Sequence, residues 1–79
     1  MRLSTILKQH ARYAESSGIV VDIDRSMGTV SLHDDIFMQG EEAFDFIAEC
    51  DELAKRCRSL DYGIIELAVA YPYCDLLED

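Results

Sequence analysis

An α+β domain is the fold class that the sequence predicts, and three observations predict it. The hydrophobic period is about 3.6 residues over 3–17, drops to about 2 over 19–33, and returns to about 3.6 from residue 41 onward. Turn residues stand at the changes of period: Ser16-Ser17-Gly18, Arg25-Ser26-Met27-Gly28 and Asp34-Asp35. The chain has 79 residues, 49% hydrophobic and 29% charged, which suits one small core and is too interrupted by charge for a membrane span. The reading is a single domain over residues 1–79, an N-terminal helix, an antiparallel β-hairpin and two C-terminal helices packed on one face of the sheet.

The first helix is predicted over residues 3–17, where Leu3, Leu7, His10 and Ala14 recur at helical spacing and Ile6 and Tyr13 widen the stripe. Gly18 is a natural left-handed residue to end it. In the hairpin Ile19, Val21 and Ile23 share one face while Val20, Asp22 and Asp24 share the other. After the turn at 25–28, Thr29–His33 alternates again with Val30 and Leu32 inward, and Ile36-Phe37-Met38 allows a short third strand. Gln39-Gly40-Glu41-Glu42 opens the second helix, with a seam of Ala43, Phe44, Ile47, Cys50, Leu53, Ala54 and Cys57. Its charges suit its direction, Glu41 and Glu42 at the start and Lys55, Arg56 and Arg58 at the end. Asp61 is predicted to cap a third helix through Ala70, weakened by Gly63 and ended or kinked at Tyr71 by the following Pro72, with one more turn over Tyr73–Leu77. The expected core is Leu7, Ile19, Val21, Ile23, Val30, Leu32, Phe44, Ile47, Leu53 and Leu67.

Charge and cysteine usage exclude several function classes. The 16 acids against 7 Lys and Arg give a net charge of −9, so the chain is not expected to bind nucleic acid by itself, because phosphate contacts need cations. Met1-Arg2-Leu3-Ser4 opens no apolar leader, and three cysteines cannot all pair, which reads as reduced thiols in the cytoplasm. Cys50 and Cys57 lie about 10 Å apart along one helix, beyond the roughly 7 Å a disulfide allows between Cα atoms, while Cys74 is free to reach either. His33-Asp34-Asp35 resembles a ligand cluster, yet Phe37 falls where a calcium loop needs oxygen, and zinc would need a denser set of Cys and His. Pairing Cys50 or Cys57 with His10 or His33 would give a nucleophile dyad, but both thiols fall on an apolar seam that keeps them unreactive. A chain this small also encloses little substrate volume. The expectation is a protein without enzymatic activity, metal or cofactor.

The acidic distribution stands above that background. Residues 34–52 carry Asp34, Asp35, Glu41, Glu42, Asp45, Glu49, Asp51 and Glu52 and no base. On the second helix Glu42, Asp45, Glu49 and Glu52 fall on one face, a stripe about 15 Å long. Such a row is either the solvated face opposite the core or a phosphate-like array that meets a basic groove on another protein. On the second reading the partner-binding residues are Glu42, Asp45, Glu49 and Glu52, with Asp34 and Asp35. Phe37, Met38, Tyr62, Tyr71 and Tyr73 form a second candidate interface, since tyrosine buries area while keeping a polar tip. This apolar and tyrosine surplus on a small core leans toward a homodimer.

Ile36-Phe37-Met38-Gln39-Gly40-Glu41-Glu42-Ala43, Phe46-Ile47-Ala48-Glu49-Cys50 and Ala70-Tyr71-Pro72-Tyr73-Cys74-Asp75-Leu76 resemble segments of small proteins encoded in proteobacterial phages and prophages. The resemblance spans residues 18–77 and implies a mobile-element setting, in which small acidic proteins include anti-CRISPR and antirestriction inhibitors of host defence. It implies no site residue. The expected function is a phage-encoded acidic inhibitor that mimics DNA in the basic groove of a host defence complex. The alternative is a phage or bacterial structural adaptor that inhibits nothing.

Overall fold

The computed structural model describes residues 1–74, the Cys74 side chain excepted, so the expected turn beyond Cys74, over Asp75–Leu77, and the reach of the Cys74 thiol lie outside the described residues. The elements are α1 (Leu3–Ser16), β1 (Val21–Asp24), β2 (Thr29–Leu32), β3 (Asp35–Gln39), α2 (Glu41–Arg56) and α3 (Tyr62–Cys74). This is the expected α+β order, with the third strand formed.

Local chemistry sets the boundaries. At the end of α1 the Gly18 N–H donates to Glu15 (2.9 Å) and the Ile19 N–H to Ala14 (3.1 Å), with Gly18 at φ 72°, a paired closure that only a left-handed residue completes. Between β1 and β2 the Asp24 carboxylate accepts from the Ser26 hydroxyl (2.7 Å) and from the Ser26 and Met27 N–H groups (3.0 and 3.1 Å), and Gly28 closes the turn onto the Asp24 carbonyl. Those bonds, the Ser26 hydroxyl first, hold the Asp24 carboxyl below its ordinary pKa. His33 (φ 53°) and Asp34 (φ 70°) form the tight turn from β2 to β3, so His33 is a turn residue and not the end of the strand. Asp61 caps α3 by accepting from the Gly63 N–H at 3.1 Å.

The sheet is antiparallel in the order β1-β2-β3. Val21 faces Leu32 and Ile23 faces Val30; Val30 also faces Met38 and Ser31 faces Ile36, so Phe37 is the extra residue of a bulge in β3. One sheet face thus carries Val21, Ile23, Val30, Leu32 and Met38 into the core, while Asp22, Asp24 and Ile36 point to solvent. α2 packs on β2 and β3, α3 on β1 and on α2, and α1 lies along the outer side of α3. A helix in that middle position must be apolar nearly all round, and Ile65, Ala68, Val69 and Ala70 are all buried.

Three expectations are corrected. Phe44 is 56% exposed and Phe46 takes its place in the core. The reason is helical phase, since at about 100° per residue Phe46 lies roughly 60° from Ala43 on the seam side and Phe44 roughly 100° away on the other. Leu67 is only half-buried, and the largest fully buried side chain of α3 is Ile65, on a different face of the helix. Helix α3 also continues through Pro72 to Cys74, so of the two outcomes expected at Tyr71 the end does not occur. The proline removes one donor near the helix end, and flanking rings hold the turn in place, Tyr71 against His10 and Tyr13, Tyr73 against Phe37 and Phe46. Ile19, Val21, Ile23 and Leu53 are half-buried around a centre that includes Leu7, Val30, Leu32 and Ile47.

Candidate functional site

The two polar flanks of α2 do different things. One flank, carrying Phe44 and Asp51, turns toward the β1–β2 loop. The Phe44 ring lies over Gly28 so closely that a Cβ there would stand 2.7 Å from its Cζ. Beside it Arg25 forks onto Asp51, Nη2 to Oδ1 at 2.8 Å and Nη1 to Oδ2 at 3.2 Å. The Tyr62 hydroxyl donates to the same Oδ1 at 2.6 Å and accepts from Arg25 Nη2 at 2.8 Å, which closes a triangle joining the loop, α2 and α3. Arg25 and Tyr62 hydrogen bonds hold the Asp51 carboxyl at about 2. Burial, then the bond to Asp51, raises the Tyr62 phenol above its usual value. Both Asp51 oxygens and the Tyr62 hydroxyl are bonded within the triangle, which makes it a clamp between the loop, α2 and α3.

The other flank is the predicted acidic stripe. Glu42, Asp45, Glu49 and Glu52 are all exposed, and the nearest cation to any of them is Lys55, 3.9 Å from Glu52. Asp34 and Asp35 are exposed too, but they belong to the β2–β3 turn and the first residue of β3 rather than to the helix face. Along this flank runs a groove of about 470 Å³ between β3 and α2, lined by Phe37, Met38, Phe46 and Tyr73 and edged by Glu42, Asp45 and Glu49. A second hollow, lined in part by Ile6, Leu53 and Pro72, adjoins it, because Glu49 and Tyr73 line both.

The structure therefore divides the second set of sequence candidates. Met38 is buried in the core, Tyr62 is committed to Asp51 and Arg25, and Tyr71 is packed against His10 and Tyr13. Phe37 and Tyr73 remain in the groove with centroids 6.2 Å apart, and Tyr73 is 37% exposed. Phe46, buried in the core at 2% exposure, backs them from below, and the sequence reading missed it for the same reason of phase that misplaced Phe44. The Arg25–Asp51–Tyr62 triangle was also missed, because its members are 26, 37 and 11 positions apart and no local spacing announces them.

Cys50 and Cys57 lie on the buried seam of α2, Cys57 at its C-cap, as the spacing predicts. Cys50 and Cys57 are buried and unpaired, and burial foremost, with Glu66, Glu49 and Asp51 nearby, pushes the Cys50 thiol up to about 12. Among the described residues no helix is long and apolar enough to cross a membrane, and no group of Cys, His, Asp and Glu is placed to hold a metal ion. Comparison with protein-family models, curated proteins and solved structures gives no match to this chain.

Proposed function

We propose that this protein is an acidic, non-enzymatic binding protein whose α2 carboxylates occupy a cationic nucleic-acid groove on a host defence complex, in the manner of a phage-encoded inhibitor. The observation that carries the proposal is the exposed row Glu42, Asp45, Glu49 and Glu52 on a rigid helix with no base between residues 34 and 52. Successive carboxylates are about 5 Å apart along the axis, against about 3.4 Å for the charges of one DNA strand, so a groove built for a polyanion can accept the row. Arg25 is held by Asp51 on the opposite flank, which leaves Lys55, 3.9 Å from Glu52, as the cation nearest the stripe.

The test is capture from a host lysate on the tagged protein, followed by competition with duplex DNA. The expected result is a nucleic-acid-binding complex that duplex DNA and salt displace and that the E42K/D45K/E49K/E52K variant does not retain. Capture of phage structural proteins by parent and variant alike would replace the inhibitor reading with the adaptor one.

A further inference from the structure

We infer that the groove between β3 and α2 binds a basic amphipathic helix of the partner, with its apolar side chains on Phe37 and Tyr73 and its Lys and Arg side chains on Glu42, Asp45 and Glu49. The inference rests on the proposed role of the α2 carboxylates and adds the chemistry of the segment they receive. Its ground is charge complementarity around an apolar floor. The groove holds about 470 Å³, its floor is aromatic and thioether, and its α2 bank carries only carboxylates. A purely polar cationic partner would leave the floor unused, and an apolar partner would leave the bank unpaired. A helix presenting both stripes satisfies each, since residues on one of its faces recur about every 5.4 Å and the carboxylates of α2 follow the same rise.

The other occupants fit less well. A second copy would bring together two chains of net charge −9. The chain's own C-terminal residues Asp75, Glu78 and Asp79 would place carboxylates against the acidic bank. Tyr73 is the side chain through which an occupant acts, because its ring meets both Phe37 and Phe46 at 6.2 Å and it lines both adjoining hollows.

The experiment is fluorescence anisotropy at low ionic strength with two labelled peptides of identical Lys and Leu composition. One is arranged as an amphipathic helix of about fourteen residues, or about 21 Å, and the other is scrambled. The parent is expected to bind the amphipathic peptide at least about tenfold more tightly than the scrambled one. Tyr73→Ala should abolish that preference while leaving affinity for the scrambled peptide unchanged, and E42Q/D45N/E49Q should weaken both. Should the melt of Tyr73→Ala show that it no longer folds, Phe37→Ala carries the same test. Equal binding of both peptides by the parent, with Tyr73→Ala indistinguishable from it, would overturn the groove while the carboxylate reading stands. Binding of neither peptide would overturn both. Self-association of the parent that Tyr73→Ala abolishes would assign the groove to a second copy. A tenfold gain in peptide affinity on replacing Leu76 and Leu77 with Ser would assign it to the chain's own end. Either result overturns the inference.

Discussion

Arg25 forks onto Asp51 across the join between the hairpin and α2, with Nη2 2.8 Å from Oδ1 and Nη1 3.2 Å from Oδ2. The pair sits on a rotation of α2 that the buried seam sets, since its own side chains are 56% and 41% exposed. With Asp51 and Phe44 drawn toward the β1–β2 loop, Ala43, Phe46, Ile47 and Cys50 face the core and the carboxylate row is left on the outer flank. The acidic face is thus presented by the burial of the seam, and the clamp ties the opposite flank of the same helix to the hairpin.

Removing the Tyr62 hydroxyl tests the clamp. Tyr62→Phe leaves the fork intact but deletes a hydrogen bond to an ionised group, and should cost about 1 kcal/mol of unfolding free energy. Asp51→Asn should destabilise the fold as well, and the two changes should be non-additive because they share one oxygen. Urea denaturation of the singles and the double checks this; strict additivity would mean that the triangle does not act as a unit.

Stability should depend on pH in two limbs of opposite sign. Burial, with Asp22 and Asp61 nearby, raises the Glu66 carboxyl above its usual value of 4.5. A raised carboxyl favours the fold when protonated, so its contribution is present below the unfolded value and is lost as pH rises through the folded one. Asp51 is the reverse case, held at about 2 against a usual 3.8, with a contribution present above 3.8 and lost as pH falls from there. Stability should therefore climb on mild acidification toward pH 4.5, helped by the falling net charge, and decline below 3.8. Denaturation midpoints for the parent, Glu66→Gln and Asp51→Asn check it. An upper limb unchanged in Glu66→Gln, or a lower limb unchanged in Asp51→Asn, contradicts the assignment.

The two phenylalanines near the start of α2 should behave differently. Phe46→Ala empties a buried site and should cost about 3–5 kcal/mol, enough to unfold a domain of this size. Phe44→Ala removes a ring that is 56% exposed and should cost much less. Gly28→Ala, beneath that ring at φ 66°, should cost about 1–2 kcal/mol for the left-handed backbone, and pairing it with Phe44→Ala should relieve only the crowding. Thermal melts of the set separate the two contributions.

The buried thiols should be silent in the folded protein. Cys50, held up at about 12, and the buried Cys57 should react with a disulfide reagent only as fast as the chain opens, and rapidly in denaturant. Prompt labelling of either one under native conditions would contradict the packing of α2 on α3.

Sequence patterning carried the element order because period and turn residues are local. Gly18, the turn at 25–28 and the Asp61 cap all act within four residues of themselves, and all three form as their types dictate. The acidic stripe was legible for the same reason, being one helix face. What was not legible depends on contacts between elements. The phase that buries Phe46 is set by the packing of α2 on the sheet and on α3, the bulge at Phe37 by pairing across the sheet, and the passage of α3 through Pro72 by rings from α1, α2 and β3. Three residues of the aromatic groove come from three elements, so no window of sequence contains it.

The most direct measurement of the central claim is the association rate between this protein and the captured nucleic-acid-binding complex as ionic strength is varied, for the parent and for the E42K/D45K/E49K/E52K variant. All four side chains are exposed, so the reversal should leave the melt cooperative. The account predicts a parent rate that falls steeply with salt over Debye lengths of about 10 to 3 Å, and a variant slower by about tenfold or more at low salt with little salt dependence left. Equal rates for the two proteins, independent of salt, would contradict it.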